Sequence, residues 1–282
     1  MNNLKLTTIA IVALLFATVG CNDLLEEPSP ATSVPGEEVL TSAQGVQGLR
    51  ASLYDGLRGS FGFTTSYFVG PSAMADETRH RTGASRFQGL NEITGNDGGT
   101  NGLSSDATYI DAYDIVLNAN LMISGVEDGV LESQDQLNRF RGEAYAIRAL
   151  ALHHMSRVLG YEPGQEVGGF SLAVPLVTTP TRDISDVGEV PRASNADVYS
   201  QILSDLSEAK SLLSGVTDVT TANEAFVDGL TARVNLYAGN WEAASNAADA
   251  ALNNAPALAT DSATVANMFD ETGPGHPEAL FK

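Results

Sequence analysis

The 282-residue sequence predicts a mainly α-helical fold, made of helical hairpins separated by long irregular insertions, with few short strands. Three observations carry that expectation. Apolar residues recur at three- and four-residue intervals in several long windows, which is helical periodicity. Start and stop signals bracket those windows. The stretches between them, about 59–106 and 160–193, are rich in Gly, Ser, Thr, Asn or Pro and show no sustained period. With hydrophobic residues at 43% and charged residues at 18%, the chain has ample material for a buried core.

The first helix is expected from Thr41 to about Gly59, with Val46, Leu49, Leu53 and Leu57 on one face and Thr41 or Ser42 as N-cap. Residues 59–106 read as an irregular surface segment with scattered aromatics, Phe61, Phe63, Tyr67, Phe68 and Phe87. A second helix is expected over about 106–125 and a third, the longest, over about 132–159. The third is striped by Leu137, Phe140, Ala144, Ile147, Ala151, His154 and Val158, with Glu143, Arg148 and Arg157 read as ion pairs on its polar face. One short apolar run, Ala173 to Val177, interrupts the insertion that follows. Helix four is capped by Ser194 or Asn195. Helix five starts at a capping box formed by Thr221 and Glu224, and helix six starts at Trp241 after the Gly239-Asn240 turn. Helices five and six read as a tight antiparallel pair with Trp241 largely buried against helix five, since Ala244, Ala248 and Ala251 permit close approach and Pro256 stops the second helix. The run from Gly239 to Pro256 resembles the second half of a tetratricopeptide repeat, and helices three and four then read as an earlier repeat.

Residues 1–20 have the form of a signal peptide: a short start carrying Lys5, then an apolar run from Ile9 to Val19, too short to span a bilayer. The single cysteine of the chain, Cys21, follows Gly20 directly, a pattern that resembles a bacterial lipobox with Thr18 where leucine is preferred. Lipidation is therefore expected at Cys21, anchoring the protein to a membrane through acyl chains. The acidic, proline-bearing residues 21–36 have the composition of a tether, and residues 37–282 form the helical domain. Thirty-five acidic against 15 basic residues give a formal charge of −20, a field that repels phosphate backbones, so no nucleic acid is expected as a partner.

No Walker loop, dinucleotide fingerprint, HExxH or GxSxG stands in the sequence, and neither an enzymatic activity nor a cofactor or metal is expected. The run Gly95 to Gly102 reads as a flexible loop. His153 and His154 are neighbours that point about 100° apart on a helix, so they read as packed imidazoles and not as a metal pair. The cluster Asp76, Glu77, Arg79, His80 and Arg81 sets both charge signs among aromatics, a mixture that suits sugars, whose rings stack on planar faces while charged groups bond their hydroxyls. The plain alternative for that cluster is a solvated loop.

Four stretches together resemble the SusD/RagB family of outer-membrane lipoproteins: CNDLLEEP; RGEAYAIRALALHHMSRVLG with VPLVTTP; VPRASNADVYSQILSDLSEAKSLL; and GLTARVNLYAGNWEAASNAADAAL. The resemblance implies a surface lipoprotein that captures a glycan or peptide and hands it to a TonB-dependent outer-membrane transporter without covalent chemistry. It also implies that ligand contacts fall in the 63–87 region, on Tyr67, Asp76, Arg79, Arg81 and Phe87. The chain stops at PEALFK, where relatives continue into a loop-rich half, so an incomplete core is expected. The rival reading is a tetratricopeptide-like scaffold lipoprotein for protein–protein assembly.

Overall fold

A computed structural model describes residues 36–58, 63–75, 77, 106–182, 188–255 and 262. The chain divides at Gly36, and the elements below belong to the unit 37–282, apart from Gly36 itself. The expectations at Cys21 and over the signal and tether residues lie outside the described residues.

A short helix, α1 (Gly36–Thr41), precedes the expected first one, α2 (Ala43–Arg58). Ser42 separates them and caps the second, its Oγ accepting from the Gly45 N–H at 3.0 Å. The anticipated stripe of Val46, Leu49, Leu53 and Leu57 is buried. Part of the stretch read as irregular is helical: α3 (Phe63–Met74) carries Pro71 inside it, and Tyr67, Gly70 and Ala73 share its buried face. The periodicity was hidden because Gly and Ala supply two of those three positions and no long aliphatic marks the face.

Helix α4 (Asp106–Asn120) passes into a π-helical turn (Leu121–Gly125). Helix α5 (Gln134–Leu159) begins at Ser133, whose side chain accepts from the Gln136 N–H, and ends at Gly160. It is the central element, packed along α4 on one side and α6 (Asn195–Leu212) on another. It is therefore buried nearly all round from Ala144 to Ser156, not on a single stripe. This corrects the polar-face reading of Glu143 and Arg148, which are 0% and 3% exposed. Strand β1 (Leu172–Pro175) pairs antiparallel with β2 (Arg192–Ser194), Leu172 opposite Ser194 and Pro175 opposite Arg192. The short apolar run is thus a strand, and both its inner residues, Ala173 and Val174, are buried. The Ser194 Oγ caps α6 by accepting from the Asp197 N–H.

Helices α7 (Glu224–Tyr237) and α8 (Trp241–Asn254) pack as the expected hairpin, turned at Gly239 with φ +74°, a left-handed angle that glycine adopts without strain. Two details differ. The cap of α7 is Asn223, which accepts from the Phe226 N–H at 2.9 Å, while Glu224 accepts from the Gly215 N–H at 2.7 Å; the Thr221–Glu224 box does not form. Trp241 is 69% exposed, not buried. It stands at the first position of α8, directly after the turn and ahead of the seam that Ala244 and Ala251 bury. Ala248 is only half-buried.

Candidate functional site: an aromatic cleft beside the two-stranded sheet

The site begins with two residues of α4. The Tyr113 hydroxyl donates to the Pro175 carbonyl at 2.6 Å, and the Asn120 side-chain N–H group donates to the Val177 and Thr179 carbonyls at 3.0 and 3.2 Å. These bonds fasten β1 and the chain after it to α4. Asn120 is itself held, because its Oδ1 accepts from Arg148 Nη1 at 2.6 Å. Arg148 also grips Asp205 of α6 through two bonds, at 2.6 and 2.8 Å, in a fork that only a guanidinium supplies. One buried arginine thus ties α4, α5, α6 and the insertion together.

Arg192 of β2 closes the other side. Its guanidinium donates to the Ala173 carbonyl at 2.5 Å, to the Leu159 carbonyl at the end of α5, and to the Leu172 carbonyl at 3.2 Å, and it lies 5.0 Å over the Phe170 ring. A positive charge at a helix C-terminus is favourably placed against the helix dipole. Between these braces lies a cleft of about 240 Å³, lined by Tyr109, Leu159, Ala173, Val174, Pro175 and Arg192. Tyr109 is 37% exposed and its ring lies 4.7 Å from that of Tyr113. Phe170, with Tyr161 edge-on at 6.1 Å, extends the aromatic surface along the rim. Burial, followed by the hydrogen bond and charge of Tyr109, pushes the Tyr113 phenol well above its ordinary value, so it stays a neutral donor. The cleft offers planar apolar faces and fixed peptide dipoles; it offers no pair of titratable groups aimed at a common point.

A second polar assembly lies behind α2. Glu143, fully buried, accepts from Arg50 at 2.6 and 2.8 Å, from the Tyr54 hydroxyl at 2.8 Å and from Arg139 at 3.3 Å. A groove of about 640 Å³ opens above it, lined among others by Arg50, Asp55, Arg58 and Thr220. Burial alone would lower the Arg50 pKa, and the bonds to Glu143 raise it, which marks the pair as a structural tie between α2 and α5.

Of the residues singled out for ligand contact, Tyr67 is 4% exposed. Its ring meets His154 edge-on at 5.5 Å, so it is a core aromatic and not a platform for ligand. The correction follows from α3: Tyr67 falls on the helix face that packs inward. Asp76, Arg79, Arg81 and Phe87 lie outside the described residues. His153 and His154 are both buried, as packed imidazoles. His153 contacts Tyr199 and Tyr237 edge-on, at 5.8 and 5.4 Å. Among the described residues no cluster of His, Cys, Asp and Glu could hold a metal ion. No described helix is long and apolar enough to cross a membrane. The sequence reading missed the cleft. Its signal was the Tyr109/Tyr113 pair one turn apart on α4, together with Arg192 just before a helix cap.

Fold and cleft define a helical-hairpin scaffold that presents an aromatic face. The chain belongs to the SusD-like_3 family, described as starch-binding associating with outer membrane, whose family model matches residues 35–236. SusD-like protein P38 of Formosa agariphila is 26% identical over 247 residues, covering 86% of this chain and 45% of that protein. A SusD superfamily protein of Bacteroides thetaiotaomicron superposes with a TM-score of 0.62 at 25% identity, covering 80% of this chain and 49% of the other. A laminarin-binding SusD-like protein shares the fold with a TM-score of 0.58 at 21% identity, covering 78% of this chain and 45% of the other. The chain spans about half the length of the curated relatives it matches.

Proposed function

We propose that this chain is the helical part of an outer-membrane lipoprotein, anchored through Cys21 and facing the cell surface, that binds a nutrient glycan and delivers it to a TonB-dependent transporter. Membership of a starch-binding family over residues 35–236 is the observation that carries the reading. The cleft supports it physically: Tyr109 and Phe170 offer planar faces for sugar rings, while the strand carbonyls and Arg192 hold the wall rigid. A preformed face loses little conformational freedom on binding. Asp76, Arg79, Arg81 and Phe87 precede α4 in the sequence and lie outside the described residues, and we assign the remaining ligand contacts to them. Tyr109→Ala should weaken retention of the chain in a native gel containing laminarin or soluble starch. Unretarded migration of the parent chain in both gels would remove glycan binding from the reading. Anchoring has its own test: a palmitate analogue should label the parent, and equal labelling of Cys21→Ser would place the lipid elsewhere.

A further inference from the structure

The chain has a single tryptophan, and the fold leaves it in water. Trp241 is 69% exposed at the tip of the α7–α8 hairpin, and Leu236 beside it is 53% exposed. A concavity of about 320 Å³ lies next to them, lined by Glu162, Pro163, Gln165, Leu236, Tyr237 and Trp241. Its volume sits at the low end for small-molecule sites, enough for one or two sugar rings.

The pocket is built from behind. Arg157 lies 4.2 Å over the Tyr237 ring and His153 packs against it edge-on at 5.4 Å, so the ring is fixed before anything arrives. The turn at Gly239, with φ +74°, brings α8 back so that Trp241 faces the same hollow as the loop carrying Glu162, Pro163 and Gln165. The lining therefore pairs planar apolar surfaces with one carboxylate and one amide. A pyranose has the matching pattern, with an apolar C–H face for an indole and vicinal hydroxyls for a carboxylate or amide. The carboxylate of Glu162 and the chain's formal charge of −20 select against anionic sugars.

We propose that the tip of the α7–α8 hairpin is a second saccharide subsite, in which a neutral sugar ring stacks on Trp241 and bonds Glu162 and Gln165. It is distinct from the Tyr109 cleft, and it rests on the reading of the chain as a glycan binder. Two such platforms on one rigid body would let a long chain engage both at once, each raising the effective concentration at the other.

Because Trp241 is the only tryptophan, its emission reports this site alone. The probes are maltoheptaose and laminariheptaose, with tetragalacturonate as the anionic control, titrated into the whole chain by calorimetry and by tryptophan emission. Without sugar, the emission should be that of indole in water. A neutral sugar should shift or quench it with the midpoint seen by calorimetry. Trp241→Ala should weaken calorimetric binding about two- to tenfold with an unchanged unfolding midpoint, and Trp241→Phe should recover part of the loss. Calorimetric binding with silent emission and an unaffected Trp241→Ala variant would overturn the subsite and leave the glycan-binding reading standing. No heat and no emission change with either neutral sugar would overturn both. Stronger binding of tetragalacturonate would overturn the neutral class. Emission already buried in the free chain, or shifting with protein concentration alone, would show the tip covered by protein and overturn the proposal.

Discussion

The seam between α5 and α6 and the hairpin of α7 and α8 are both helix pairs, yet they are held in opposite ways. In the first, the helix is enclosed, and its two buried charges are paired inside the protein: Arg148 takes Asp205 and Asn120, and Glu143 takes Arg50, Arg139 and Tyr54. In the second, α8 buries only Ala244 and Ala251, and Trp241, Leu236 and Leu252 remain exposed. The Lys210–Asp228 ion pair at 2.6 Å, extended by Asn254, is the main polar tie between the hairpin and α6. Enclosure makes the seam sensitive to single atoms. Openness leaves the hairpin tip free for recognition.

The largest effect is expected in the seam. Arg148→Ala strands a buried carboxylate and frees Asn120 from its hold, and should cost about 3–5 kcal/mol, read as a shift of the urea midpoint. A loss under about 1 kcal/mol would mean water reaches Asp205, since solvated ion pairs contribute no more than that.

The same enclosure predicts acid sensitivity. Burial, then the neighbouring positive groups, lowers His153 from 6.5 to about 3, and His154 likewise. Within that window the unfolded chain binds protons that the folded chain refuses. Stability should therefore fall as pH drops, by up to about 1.4 kcal/mol per pH unit for each ring, and be insensitive to these rings above the window. The slope should be shallower in His153→Leu than in the parent; identical slopes from pH 7 to pH 4 would show that His153 is protonated in the folded state as well.

Packing gives a smaller step. A Cβ on Gly142 would stand 2.9 Å from Leu212 Cβ and 2.8 Å from Leu213 Cγ, so Gly142→Ala should force α5 and α6 apart and cost about 1–3 kcal/mol. On the hairpin, Ala251→Leu should show a similar cost, whereas Ala248→Leu, at a half-buried position, should change stability by less than about 0.5 kcal/mol. Equal losses at the two alanines would place the seam of α8 differently. The smallest effect is expected at the tip: Trp241→Ala should leave the midpoint within about 0.5 kcal/mol of the parent, and a larger loss would mean the indole packs on the fold.

Most helices were legible because their signals are local. Ser42, Ser194 and the Gly239-Asn240 turn each act within a few residues, and the apolar spacing of α2, α5 and α6 is visible within their own segments. Helix α3 was not, because Gly70 and Ala73 bury a face without looking apolar. The site was less legible than the fold. Tyr67 and Trp241 are both aromatics, and the sequence read one as displayed and the other as buried; the structure reverses both.

The sequence alone determined the helical class, the approximate spans of most helices, the Gly239-Asn240 turn, the family resemblance and the charge that turns phosphate backbones away. Those properties depend on neighbours along the chain or on simple sums. Which polar groups lie inside, which aromatic faces water and where a cleft opens were decided only in three dimensions. The partners of Arg148 stand 57 and 28 residues away, at Asp205 and Asn120, and Tyr113 reaches the Pro175 carbonyl 62 residues on. No periodicity encodes such pairings, because they are set by how whole helices pack, and that packing fixes the side that each face presents to the core or to the solvent.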